Sequence, residues 1–199
     1  MKFQSLMEEL GSPAPSFAVA DPGGRVYRLQ DFKDSRALLV AFICNHCPFV
    51  LHILDSFVAL AAEYASRGVA TVAISSNDVG AHPEDGPMQM AALARERHFA
   101  FPYLYDGTQE AAQQFRAVCT PDLFVYDQPR KLYYRGQFDR TRPTTPHTVG
   151  RPGAGAIADG ADLRAALEAL LAGHPSPAEQ RPSMGCSMKW IPGREPTWG

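Results

Sequence analysis

The chain has 199 residues, enough for one hydrophobic core with a tail, and 45% hydrophobic content with 11 phenylalanines supplies that core. Nineteen basic against 21 acidic residues leave a formal charge of −2 with no block of like charge, so neither nucleic acid nor a membrane surface is an expected partner. MKFQSLMEEL carries two glutamates where a signal peptide would be apolar, and no apolar run reaches the ~18 residues of a membrane span, which makes the cytosol the expected location.

In chain order, a short N-terminal helix is predicted before the turn Gly11-Ser12-Pro13-Ala14-Pro15. FAVADPGGRVYRL (17–29) alternates around Asp21-Pro22-Gly23-Gly24 and reads as a hairpin. ALLVAFIC (37–44) is a continuous apolar run, as expected of a strand covered on both faces. A helix follows at once, with Val50, Ile53, Leu54, Phe57, Val58 and Ala61 at three- and four-residue spacing, and it ends near Arg67 and Gly68. VATVAISSN (69–77) is a second buried strand, and a Gly-, Pro- and Asp-rich loop (78–87) leads to a helix from Pro87 to His98. PYLYD (102–106) is a short strand and TQEAAQQFRAV (108–118) a short helix. Past Thr120-Pro121, DLFVYD and LYYRGQFD form a hairpin across Gln128-Pro129-Arg130-Lys131. Residues 139–160, with four glycines and three prolines, read as a surface loop or insertion. The last helix is 161–172, with Leu163, Ala166, Leu167, Leu170 and Leu171 on one face, Asp159 as its cap and Gly173 beyond its end. One domain therefore spans 1–173, and the Pro-rich, aperiodic segment 174–199 is a tail. The order describes an α/β sandwich with a mixed central sheet, whose reactive loops belong at the carboxyl ends of the parallel strands. Cys44 falls at such an end.

Four cysteines in a reducing compartment point to catalytic, sensing or metal-binding roles, with buried packing as the plain alternative for Cys119. Cys44 and Cys47 stand three apart where the strand pattern gives way to the helix pattern. A helix N-terminus offers unpaired N–H groups and a positive dipole end, both of which favour a thiolate. C-x-x-C beside a βαβ pattern is a redox signature, and an imidazolium at His46 would stabilise the thiolate further. Pro48 bears on which sulfur benefits. If it takes the first helical position, Cys47 is the N-cap and the better-placed thiolate. Zinc sites also use C-x-x-C, usually with a second matching pair; here Cys119 and Cys186 stand apart, and His46 and His52 match no common spacing. No metal and no cofactor is expected.

The sequence resembles the thioredoxin-like superfamily, and more closely the peroxiredoxin-like branch related to alkyl hydroperoxide reductases and thiol-specific antioxidants. The resemblance is carried by GSPAPSFAV (11–19), FICNHCPFV (42–50), FPYLYDGTQEAAQQFRAVCTPDLFVYD (101–127) and GCSMKW (185–190). It implies a three-layer α/β/α sandwich with an N-terminal β-hairpin, and a cis-proline loop at Thr120-Pro121 lying against the two cysteines. Two departures stand out. Thioredoxins have Trp before the first cysteine and Gly-Pro between the pair, whereas Ile43 and Asn45-His46 occupy those places. Peroxiredoxins use P-x-x-x-T-x-x-C with a supporting Arg; Cys47 matches the peroxide-attacking cysteine, Cys44 replaces the Thr, and Val40 stands at the Pro.

The leading expectation is a thiol–disulfide oxidoreductase in which Cys44 attacks and Cys47 resolves, with His46, Thr120 and Pro121 shaping the site. Its partners would be a protein or small-molecule disulfide or peroxide and a thiol reductant system, and relatives of this branch often form homodimers. The enzyme alternative is a peroxidase with Cys47 attacking peroxide and Cys44 or Cys186 resolving. The non-enzyme alternative is a metal carrier or redox sensor using Cys44, Cys47 and a histidine. Cys186 reads either as a disordered tail thiol or, with Met184, Met188, Lys189 and Trp190 as anchors, as a docked resolving cysteine.

Overall fold

In the computed structural model, which describes residues 2–177 and 179–198, the first half of the chain runs through β1 (Lys2–Gln4), β2 (Ala18–Ala20), β3 (Val26–Arg28), β4 (Ala37–Phe42), α1 (Pro48–Ala65), β5 (Val69–Ser75) and α2 (Pro87–Glu96). It continues through β6 (Tyr103–Tyr105), α3 (Glu110–Gln114), β7 (Cys119–Thr120), β8 (Asp122–Tyr126), β9 (Leu132–Arg135), α4 (Ala161–Leu171) and β10 (Met184–Ser187). Seven strands form a mixed sheet in the order β3-β2-β6-β5-β4-β8-β9, and β1-β10-β7 form a second, smaller sheet.

The apolar run at 37–44 sits where its composition requires. β4 pairs in parallel with β5 and antiparallel with β8, so both its edges are taken. Its side chains alternate between two cores. Leu39, Ala41 and Ile43 pack with α1 and α4, while Leu38, Val40 and Phe42 face Phe17, Phe115 and Phe124. The result is a three-layer sandwich. α1 has the length and mean hydropathy, 1.3, of a membrane span, and eight of its side chains, from Phe49 to Tyr64, are buried in the protein's core. The N-terminal hairpin is β2 against β3, closed by Asp21, whose Oδ1 accepts from the Gly23 and Arg25 N–H groups at 2.8 and 3.0 Å.

Two segments depart from the sequence expectation. The N-terminus is a strand where a helix was predicted; β1 pairs with β10, and Ser5 N–H donates to the Ser183 carbonyl at 3.0 Å. About ten residues are too few to sustain a helix without packing, and β10 offers a strand edge instead. The tail segment contributes β10, wedged between β1 and β7. At α4 the N-cap is Gly160, held at φ +67°, and Asp159 acts one residue earlier, its carboxylate accepting from Ala161 N–H at 2.9 Å.

Candidate active site

β4 ends at Phe42, and Ile43 N–H still bonds the Ile74 carbonyl at 3.0 Å, which keeps the chain in the sheet up to Cys44. Cys47 is the N-cap of α1 with extended backbone angles, and Pro48 takes the first helical position, where its missing N–H costs nothing. The free N–H groups of the first turn therefore face Cys47, not Cys44.

Opposite them stands the Thr120–Pro121 loop, whose peptide bond is cis. Thr120 Oγ1 lies 3.4 Å from Cys44 Sγ, and the Thr120 carbonyl 3.1 Å from Cys47 Sγ. β10 then lies across this loop with Cys186 opposite Thr120 and Ser187 opposite Cys119. Gly185 makes that approach feasible, because a Cβ there would fall 1.9 Å from the Thr120 carbonyl oxygen. The strand continues into anchors: Met188 N–H bonds the Val118 carbonyl, Lys189 N–H bonds Asn77 Oδ1, and Gln109 bonds the Lys189 carbonyl, all at 2.9 Å. Cys186 is thus docked on the site and half-exposed, while Cys44 and Cys47 are 1% and 0% exposed.

Three thiols meet here, and their contacts favour the thiolate at Cys47 over the other two. The Cys186 thiol and then the Cys44 thiol donate to its sulfur, the N–H groups of Val50 and Cys186 add to them, and together they outweigh burial and hold Cys47 well below the ordinary thiol range. The contact that opposes this is the Thr120 carbonyl, which suits a thiol; four donors against that acceptor favour the thiolate. Cys44 and Cys186 are pushed up, chiefly because each donates its proton toward Cys47 and secondly by burial. Pro48 in the first helical position makes Cys47 the N-cap, the alternative in which Cys47 is the better-placed thiolate.

His46 is bonded to Asp85 and keeps a ring nitrogen within 4.8 Å of Cys44 Sγ. Its Nδ1 is 2.7 Å from Asp85 Oδ2, and its ring stacks on His82 with centroids 4.6 Å apart. That bond raises the His46 pKa. Burial pushes the Asp85 carboxyl up, but hydrogen bonds from His46, Asn77 Nδ2 at 2.8 Å and Asn45 N–H at 2.7 Å together hold it below its usual value. Tyr103 completes the frame, its hydroxyl donating to Asn45 Oδ1 at 3.0 Å. Asp85, Asn77 and Tyr103 were not singled out from the sequence. Cys119 is not brought to the pair; its thiol donates to the Pro121 carbonyl at 3.6 Å, and burial pushes its pKa up.

Cys44 Sγ, a His46 nitrogen and an Asp85 oxygen lie within 4.8 Å of one another, a donor set of metal-binding type. His46 and Asp85 are already bonded to each other and Asp85 braces Asn45 and Asn77, so a cation there would displace the bonds that shape the loop. His52 faces elsewhere, 2.8 Å from Thr141 Oγ1. Arg135 is fully buried, and its Nη2 bonds Asp122 at 3.2 Å and the Arg116 carbonyl at 2.8 Å, while its Nε and Nη1 have no hydrogen-bond partner among the described residues.

A hypothetical protein of Sinorhizobium meliloti is similar at 45% identity and TM-score 0.89, covering 96% of this chain and 99% of its own. An uncharacterized conserved protein of Geobacillus kaustophilus is similar at 46% identity and TM-score 0.89, covering 96% and 97%. A thiol:disulfide interchange protein of Chlorobium tepidum shares the thioredoxin-like fold at TM-score 0.60 and 19% identity, covering 83% and 99%. No curated protein matches. The AhpC/TSA family matches over residues 10–135. With that match over more than half its length and a thioredoxin-like sheet around the thiols, the chain belongs to the AhpC/TSA family, in the peroxiredoxin-like branch of the thioredoxin-like superfamily.

Proposed function

We propose that the protein is a thiol–disulfide oxidoreductase whose nucleophile is Cys47 and whose resolving thiols are Cys44 and Cys186. The observation that carries this reading is the three-thiol cluster, one sulfur favoured as the thiolate at a helix N-terminus and two thiols in hydrogen-bonding contact with it. A thiolate attacks a disulfide sulfur, and a neighbouring thiol then displaces the resulting mixed disulfide. Cys47 has no exposed surface, so an opening of β10 or of the first turn of α1 precedes attack. Cys44 and Cys47 belong together as the sequence suggests, with the roles exchanged.

The peroxidase reading gains from the same finding, since Cys47 is the position that matches a peroxide-attacking cysteine. Against it, the Thr120 hydroxyl is engaged by Cys44. Insulin-disulfide reduction by wild type, Cys44→Ser, Cys47→Ser and Cys186→Ser tests the proposal. Cys47→Ser should abolish turnover, and unchanged turnover in that variant would overturn the reading. Dimedone labelling of Cys47 after peroxide, without disulfide reduction, would favour the peroxidase.

A further inference from the structure

Four arginines from two segments of the chain converge on one cavity. Arg140, Arg142 and Arg151 come from the 139–160 loop and Arg181 from the segment entering β10; with Gln137 and Met184 they border a volume of about 370 Å³. That is within the range of roughly 300–1,000 Å³ of small-molecule sites. No carboxylate lines it. Arg142 is half-buried and held by the Asp139 carbonyl at 2.8 Å and by Gln137 Oε1. Burial pulls its pKa down, with Asp139 and Asp162 opposing. Among the described residues, the exposed guanidinium groups of Arg140, Arg151 and Arg181 have no ion pair or hydrogen bond. Asp162 and Glu179 line the adjoining cavity, which shares Arg140 and Arg181. A concave group of cations concentrates anions, and the guanidinium fork fits carboxylate and phosphate oxygens.

The cavity is next to the thiols. Gln137, Arg142 and Met184 also line a narrow crevice whose other walls include Phe49, Pro121 and Ser183. Phe49 is two residues beyond Cys47, the carbonyl before Pro121 touches Cys47 Sγ at 3.1 Å, and Met184 is two residues before Cys186.

We propose that the arginine cavity anchors a small disulfide whose non-reacting end carries two or more negative charges, carboxylate or phosphate, and presents it to the Cys47–Cys186 pair. This rests on the oxidoreductase reading. In the step it serves, Cys47 thiolate bonds one substrate sulfur, the substrate S–S bond breaks, and the first half leaves as a thiolate that takes a proton from water. Cys186 then gives its proton to water and attacks Cys47 Sγ, expelling the second half as a thiolate. One protein thiolate and one thiol become a disulfide, and the substrate disulfide becomes one thiol and one thiolate.

The test compares oxidation of the reduced protein by glutathione disulfide, coenzyme A disulfide and uncharged hydroxyethyl disulfide, for wild type and for Arg140→Gln/Arg151→Gln/Arg181→Gln. Wild type should prefer an anionic disulfide over the neutral one by on the order of tenfold, a preference that salt and the triple variant both erase. Whichever anionic disulfide is faster identifies carboxylate or phosphate as the group bound. An equal anionic-to-neutral ratio in wild type and variant overturns the cavity's role while leaving the oxidoreductase reading intact. Failure of wild type to exchange with any of the three overturns the oxidoreductase reading. The cavity is then judged by calorimetric binding of unreactive S-methylglutathione and desulfo-coenzyme A. Binding that weakens on the order of tenfold in the variant supports it, and no binding of either overturns it.

Discussion

Asp85 does more for the site than its place in a loop suggests. It is fully buried, and its two oxygens fix Asn45, His46 and Asn77 at once. Replacing it by Asn removes the largest cause of the raised His46 pKa, so the imidazole should titrate lower, nearer 6.5, as read by NMR. The pair also sets a pH window. Asp85 is depressed, so its share of stability is present above about pH 4 and is lost as pH falls; His46 is raised, so its share is full below about pH 6.5 and is lost as pH rises through its folded value. The stability difference between wild type and Asp85→Asn, measured by urea titration, should therefore be larger at pH 5 than at pH 8. An equal difference would remove His46 from the account. Nothing in the sequence separates Asp85 from Asp78 and Glu84 in the same loop, because the partners that give it meaning lie 8 to 40 residues away.

At the scale of elements, β10 is what turns a pair of cysteines into a cluster of three, and its seat depends on Gly185. Gly185→Ala would put a Cβ 1.9 Å from the Thr120 oxygen and 2.6 Å from its carbon, both backbone atoms that cannot swing aside. The strand should shift, at a cost of about 1–3 kcal/mol in chemical denaturation. Cys47 should at the same time lose its largest source of thiolate stabilisation, so its pKa, followed by thiolate absorbance, should rise. The hairpin, the buried β4 and the helix that starts at Pro48 were legible because each is written in local periodicity and turn residues. β1 and β10 were not. Each is three or four residues long and pairs with a strand far away in sequence, so neither shows enough alternation to read. The Gly-Cys-Ser-Met-Lys-Trp run announced a docked segment without saying onto what.

For the whole molecule, the two disulfides open to Cys47 differ greatly in the loop they close. A Cys44–Cys47 bond closes a few residues and restricts the unfolded chain by about 2 kcal/mol, whereas a Cys47–Cys186 bond closes roughly 140 residues and restricts it by about 5 kcal/mol. At roughly 2–4 °C per kcal/mol for a chain of this size, oxidation should raise the Tm by ~4–8 °C in the first case and ~10–20 °C in the second. Calorimetry of oxidised and reduced protein thus reports the resolving thiol directly, with Cys44→Ser and Cys186→Ser as controls. The larger rise should persist in Cys44→Ser and be absent from Cys186→Ser.

A cluster of three thiols that favours one thiolate also contributes to the protons the chain exchanges with water as it folds. In the unfolded chain each thiol titrates near 8.5. Below that pH the unfolded chain carries a proton on Cys47 that the native protein lacks, so folding releases a proton and stability climbs with pH. Above it the unfolded chain has shed protons that native Cys44 and Cys186 retain, so folding takes protons up and stability declines. The cluster's contribution therefore peaks near the ordinary thiol pKa, where folding changes from a reaction that acidifies its surroundings to one that consumes acid.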